Sequence, residues 1–266
     1  MKNKLTIVLL VLCAGVFLVS AGVLLDYFLK QHKAERDFDE LRDIVYSNVR
    51  EDADGMLSSD EFSDLRSAYR ALQESNANFI GWLRIYDTDV NYPVMQTVSN
   101  PEYYLHRDFS GNYTGSGTLF ASEISDVERP SDVVIIYGHR MKDGSMFGTF
   151  NKFMDPEYCE KHRYIRFDTL MERRSYEILS VFRTAVDTGL DDEFKYYNYS
   201  DFADQEAVDG FLREIKNKEF FDTGVTAERG DEFIILSTCE YSQENGRLVI
   251  VGKRIPTANA PVFPVP

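Results

Sequence analysis

The chain opens on an uninterrupted apolar run. Leu5 to Leu25 is 21 residues without a charge, and Thr6 and Ser20 are its hydroxyl residues. As a helix it is about 31 Å long, close to the hydrocarbon thickness of a bilayer. Lys2 and Lys4 precede it, and Lys30, Lys33 and Arg36 follow it, so flanking charge gives little orientation. The run exceeds the ~7–15 apolar residues of a signal peptide. It also continues past Val19-Ser20-Ala21, a small-residue pattern that would suit cleavage. The pattern predicts a retained transmembrane helix within an anchor over 1–29, with a cleaved signal as the rival reading.

Periodicity then turns helical. Residues 34–49 place Phe38, Leu41, Ile44, Val45 and Val49 on one face. A second helix is predicted over 59–74, capped by Ser58 or Ser59, with the stripe Phe62, Leu65, Tyr69 and Leu72. The two make up an N-terminal helical segment, 30–76. Between them, Asp52-Ala53-Asp54-Gly55-Met56-Leu57 has the outline of a calcium loop. With Gly55 at its sixth position, however, Arg50 falls at the first, where an oxygen ligand is needed. A plain capped turn is expected there.

From Phe79 onward, β-favouring runs recur at 79–86, 90–95, 117–121, 132–138, 163–168, 175–186, 232–238 and 247–254. Eight short strands with few helices predict a mainly β domain, a closed or nearly closed barrel, over 77–255. One helix, at 203–217, interrupts it between the sixth and seventh strands, with Ala207, Val208, Phe211, Leu212 and Ile215 at helical spacing. The tail, 256–266, holds four of the eight prolines and reads as an extended end.

Composition narrows the function. With 29 Lys+Arg against 44 Asp+Glu, the net charge of the 266 residues is −15, which disfavours a nucleic-acid partner. Three cysteines, Cys13, Cys159 and Cys239, are too few for a disulfide framework, and Cys13 lies in the apolar run. No CxxC or HExxH spacing suggests a metal site, and no cofactor is implied.

The chemistry concentrates at one strand end. Phe233-Ile234-Ile235-Leu236-Ser237-Thr238-Cys239 reads as a buried strand ending at a thiol, and the next strand begins at Arg247. If the two pair as a hairpin, thiol and guanidinium share one end. An adjacent guanidinium favours thiolate and can stabilise an oxyanion. A nucleophilic thiol usually needs a proton-transfer partner. Of the four histidines (His32, His106, His139 and His162), His139 is the candidate. It follows the apolar run Val133 to Gly138, where it would be rigidly held yet open to a cleft. Cys159 with His162 is the competing pair, but Glu157 and Glu160 oppose a thiolate there.

These residues resemble the sortase family. Leu236-Ser237-Thr238-Cys239 with Arg247 eight residues on resembles its signature. Tyr137-Gly138-His139, with Met141 to Phe147 behind it, is similar to the class B version. Asn78-Phe79-Ile80-Gly81-Trp82, Tyr92-Pro93-Val94, Tyr103-Tyr104-Leu105 and Asp108-Phe109 fit the same domain, and the resemblance spans about 34–255. It implies an eight-stranded sortase barrel in a cysteine transpeptidase of Gram-positive bacteria. Cys239 would be the nucleophile, His139 the general acid/base and Arg247 the stabiliser of the substrate carbonyl. Ser237, Glu240 and Leu105 would be substrate contacts. The implied partners are surface proteins with a C-terminal sorting signal, cleaved after threonine, and an amine of cell-wall precursor or of a pilin. The implied location is the cell membrane, with the catalytic domain outside. One departure is Arg140, where many relatives carry Asn after the histidine.

Two other readings stay open. A cysteine peptidase without transfer is one, although such enzymes usually place the cysteine before the histidine. A non-catalytic, membrane-tethered interaction module is the other. With ordinary pKa values, thiolate is ~3% and imidazolium ~24% at neutral pH, so the doubly charged form is ~1%. The site must be slow through scarcity, or must shift those values.

Overall fold

The structure is a computed structural model that describes residues 2–47, 61–129, 131–186, 189, 194–239, 245–257 and 260–261. The calcium-like turn at 52–57, the Ser58 and Ser59 caps and the end of the proline-rich tail fall outside them. By contacts the chain divides into two compact units, Met1–Glu40 and Leu41–Pro266.

Helix α1 runs Lys2–Tyr46 without a break. The apolar run and the amphipathic stretch are therefore one helix, because neither Gly nor Pro occurs between Asp26 and Tyr46 to end it. Within it, Thr6–Asp26 is long and apolar enough to cross a membrane.

In the second unit, α2 (Glu61–Ser75) packs on strand β1 (Phe79–Ile85). Its buried stripe is Leu65, Ala68, Tyr69 and Leu72. Burying each large member is worth about 1.5–3 kcal/mol. Tyr69 stacks on Trp82 with ring centroids 6.4 Å apart and donates to Asp168 Oδ2 at 3.2 Å. Asp168 in turn accepts from Arg166 Nε at 2.9 Å, and both side chains are nearly solvent-free.

The remaining strands are β2 (Asn91–Met95), β3 (Leu119–Ala121), β4 (Val133–Tyr137), β5 (Tyr164–Thr169), β6 (Arg173–Ala185), β7 (Phe233–Cys239) and β8 (Gly246–Ile255). They close into a barrel in the order β1-β2-β3-β4-β7-β8-β6-β5. Two neighbouring pairs are parallel, β2 with β3 and β4 with β7. Short helix α3 (Pro156–Lys161) precedes β5, and α4 (Gln205–Lys218) lies between β6 and β7. The Asp204 side chain caps α4 by accepting from Ala207 N at 3.0 Å.

The unbroken apolar runs of β4 and β7 follow from burial on both faces. Val133, Ile135, Phe233 and Ile235 join Phe211 and Ile215 of α4 in one cluster. The alternating Val134, Ile136, Ile234 and Leu236 are equally buried and turn into the barrel. Strand alternation puts Ser237 and Cys239 on the α4 side of β7, so that side carries the thiol.

Candidate active site

Cys239 ends β7 and is half-buried. Arg247, the second residue of β8, is its direct antiparallel partner. Cβ atoms of such partners stand about 4.5–5.5 Å apart, so the hairpin alone starts the two side chains next to each other on one face. Arg247 Nη1 donates to the Gly246 carbonyl at 3.0 Å, which turns the side chain along its own strand end.

His139 arrives from the other side of β7. The parallel β4–β7 register pairs Tyr137 with Ser237, and Gly138 N donates to Ser237 O at 3.2 Å. His139 lies two residues beyond Tyr137 and Cys239 two beyond Ser237, so the shared direction of the two strands sends both toward the same end of the barrel. Gly138 permits the approach, since a Cβ there would sit 2.4 Å from Leu119 Cδ2 and 2.8 Å from Phe147 Cδ2. Behind the histidine, Phe147 N donates to the His139 carbonyl at 2.9 Å.

The His139 ring is fixed by a bond of 2.8 Å between Nε2 and the Leu105 carbonyl. A carbonyl only accepts, so Nε2 carries the hydrogen and Nδ1 is the ring nitrogen left for proton exchange. Burial lowers the His139 pKa from its ordinary value. The bond to Leu105 acts the other way, and charge on His106 adds to the lowering.

Leu105 belongs to the 3-10 turn Tyr103–His106. Its contact with His139 runs through the backbone, whatever its side chain does. Tyr104 holds the turn in place, with its hydroxyl taking hydrogen bonds from Asn76 and Asn78 at 2.9 and 3.0 Å.

Cys239, Arg247, Ser237, Thr238, Tyr137 and Tyr196 line an open cavity of about 260 Å³ whose rim carries Glu102 and Glu123. Ser237 is buried, and its hydroxyl bonds Tyr196 OH at 2.7 Å. The Tyr196 pKa is raised by burial, while the bond to Ser237 and the charge of Arg247 oppose the rise and Cys239 adds to it. Tyr196 thus sits within electrostatic reach of both Cys239 and Arg247. Glu240 lies outside the described residues.

The competing pair is not built for chemistry. Cys159 is buried in α3, and desolvation pushes its thiol up to about 12 with Glu160 adding to the effect. His162 is buried, and its Nδ1 donates to the Tyr86 carbonyl at 3.1 Å.

Periodicity and motif spacing did not single out Tyr137, Tyr196, Glu102 and Glu123 as cavity residues, or His106 as a neighbour of His139. The aromatic run Tyr196-Tyr197-Asn198-Tyr199 before α4 was the available signal for Tyr196.

Comparison with known proteins gives one answer. A family model described as the sortase domain matches residues 83–255. Sortase B of Listeria monocytogenes is 32% identical over 194 residues, covering 72% of this chain and 76% of that one. Sortase B of Staphylococcus aureus is 27% identical over 258 residues, covering 96% and 98%. The crystal structure of sortase B from B. anthracis in complex with AAEK1 matches with a TM-score of 0.70 at 32% identity, covering 86% of this chain and 99% of that one.

Proposed function

The chain belongs to the sortase family, as a class B sortase and so a cysteine transpeptidase, and on that premise we propose how its residues carry the reaction and what it joins. The substrate is a surface protein with a C-terminal sorting signal cleaved after threonine. The acceptor is an amine of cell-wall precursor or of a pilin. The observation that carries this reading is the register that sets Cys239 opposite Arg247 at the cavity, with His139 two residues past the end of the adjoining parallel strand.

Cys239 Sγ, as thiolate, attacks the threonine carbonyl carbon. Arg247 donates to the oxygen as it gains charge, which is where fixed donors act most strongly. His139, protonated at Nδ1, gives that proton to the leaving amine as the C–N bond breaks, and a thioester to Cys239 remains. The acceptor amine then attacks the thioester, His139 takes up its proton, and the new amide leaves as the thiolate returns. Burial lowers the His139 pKa. Imidazolium at neutral pH is therefore scarcer than in a free histidine, and the bond to Leu105 supports the charged form when it arises.

Thr6–Asp26 of α1 anchors the chain in the membrane as a single pass, and the barrel works on the outer side. Glu240 and the Leu105 side chain contact the sorting signal, and Ser237 contributes through the cavity floor it shares with Tyr196.

The test is to incubate the detergent-solubilised full chain with sorting-signal peptides, with and without amines, and follow products by mass. Wild type, Cys239→Ala and Cys159→Ala run in parallel. Cleavage after threonine with an amine adduct, lost in Cys239→Ala alone, is the expected result. Activity that survives Cys239→Ala and disappears in Cys159→Ala would overturn the site. Hydrolysis with no adduct from any amine would mark a peptidase instead.

A further inference from the structure

His106 follows Leu105 in the same 3-10 turn, and its role is not accounted for by the reaction above. Its imidazole is exposed, and its ring centroid is 5.1 Å from that of His139 at an interplanar angle of 31°. Tyr113 also stacks on it, 6.0 Å away at 29°. His106 is thus in ring contact with both Tyr113 and the His139 imidazole.

The turn stands on a fixed base. Thr114 N donates to the His106 carbonyl at 3.1 Å, and Thr118 N to the Tyr104 carbonyl at 3.0 Å. The turn therefore has little freedom to carry His106 away. We propose that His106 is a positioning residue for His139: its ring braces the His139 imidazole against the Leu105 carbonyl, and its positive charge opposes a second positive charge on His139. The proposal rests on the reading of His139 as the acid/base.

Other charged groups face His139 less directly. Arg107, beside His106, is turned away over the Tyr103 ring at 4.6 Å and donates to the Gly111 carbonyl at 2.9 Å. Arg140 follows His139 in the chain, and Cys239 and Arg247 stand at the paired ends of β7 and β8. His106 is the charged neighbour whose effect on His139 is resolved, and it acts in the lowering direction.

The experiment follows the His139 imidazole by NMR across pH in the full chain in detergent, in wild type, His106→Phe and His106→Lys. The midpoint should rise in His106→Phe and fall in His106→Lys, with wild type between them. The acid limb of kcat/KM should move in the same order. His106→Ala, which removes the brace as well as the charge, should lose more kcat than His106→Phe. Identical His139 midpoints in all three proteins overturn the proposal even if His139 is the acid/base. A His139→Ala variant that cleaves peptide at the wild-type rate sinks the acid/base role instead, and leaves a measured coupling in place.

Discussion

Cys239 and Arg247 are cross-strand partners, eight residues apart in the chain and directly opposite each other in the β7–β8 ladder. Their proximity follows from one hairpin, so a substitution of either changes chemistry without changing how they meet. Arg247→Lys keeps the charge and loses the planar fork of donors. It is expected to lower kcat/KM by about 10²–10³, the usual cost of losing one oxyanion donor, with an unchanged melting temperature. Peptide-cleavage kinetics beside a thermal melt check this, and near-normal turnover would remove Arg247 from the oxyanion role.

The His139 pKa is lowered, with burial as the first cause. The folded state therefore prefers neutral His139 more than the unfolded chain does. Its contribution to stability is complete above the unfolded value near 6.5 and is lost as pH falls through the folded value. Denaturant unfolding between pH 7 and pH 5 should show wild type losing more stability than His139→Gln. The acid limb of wild-type kcat/KM should lie below pH 6.5, and a limb above 7 would contradict the lowering.

Gly117 stands at φ +61, and a Cβ there would come 2.3 Å from the Leu105 carbonyl oxygen. That oxygen is the one bonded to His139. Gly117→Ala thus combines backbone strain of about 1–2 kcal/mol with displacement of the group that orients the imidazole. Activity should fall by a larger factor than stability alone explains. Kinetics on the fraction that remains folded, measured by circular dichroism, separates the two.

Asp168 accepts from both Arg166 and Tyr69 under the α2–β1 contact. Asp168→Ala would leave Arg166 charged and buried without its partner, which costs about 3–5 kcal/mol. A large drop in melting temperature is expected, while any protein that still folds should cleave peptide normally, since the pair lies away from the cavity. An unchanged melt would show that water reaches Arg166.

Thiol reactivity should divide the two cysteines of the barrel unit. Cys159 is buried with its thiol pushed up to about 12 by desolvation, whereas Cys239 opens on the cavity. In a Cys13→Ala background at pH 8, a maleimide should label folded Cys239 rapidly and Cys159 only after unfolding, as read by peptide mass.

The strands were legible because β-branched and aromatic runs were separated by Gly, Asn, Asp and Pro. All eight expected segments overlap observed strands, and 203–217 overlaps α4. Cys239 with Arg247 was legible for a local reason, the short hairpin between them. The barrel order was not, since pairing β7 between β4 and β8 is a long-range choice that no local pattern encodes. Helix α3 escaped because six residues carry too little periodicity. Leu105 could be named from the resemblance, but its bond to His139 uses a carbonyl, a group every residue has and no sequence distinguishes. The Ser237 partnership with Tyr196 spans 41 residues and was hidden likewise.

The strand order also has a consequence for assembly. In chain order β1 to β6 come first, and they leave two open edges, β4 on one side and β6 on the other. The C-terminal hairpin fits between those edges, pairing β7 with β4 and β8 with β6. Such late, non-local pairing makes for slow folding. The hairpin that seals the barrel is also the one that sets Cys239 opposite Arg247. Closing the barrel and pairing Cys239 with Arg247 are then a single event, and a chain interrupted before that hairpin has exposed strand edges and neither residue.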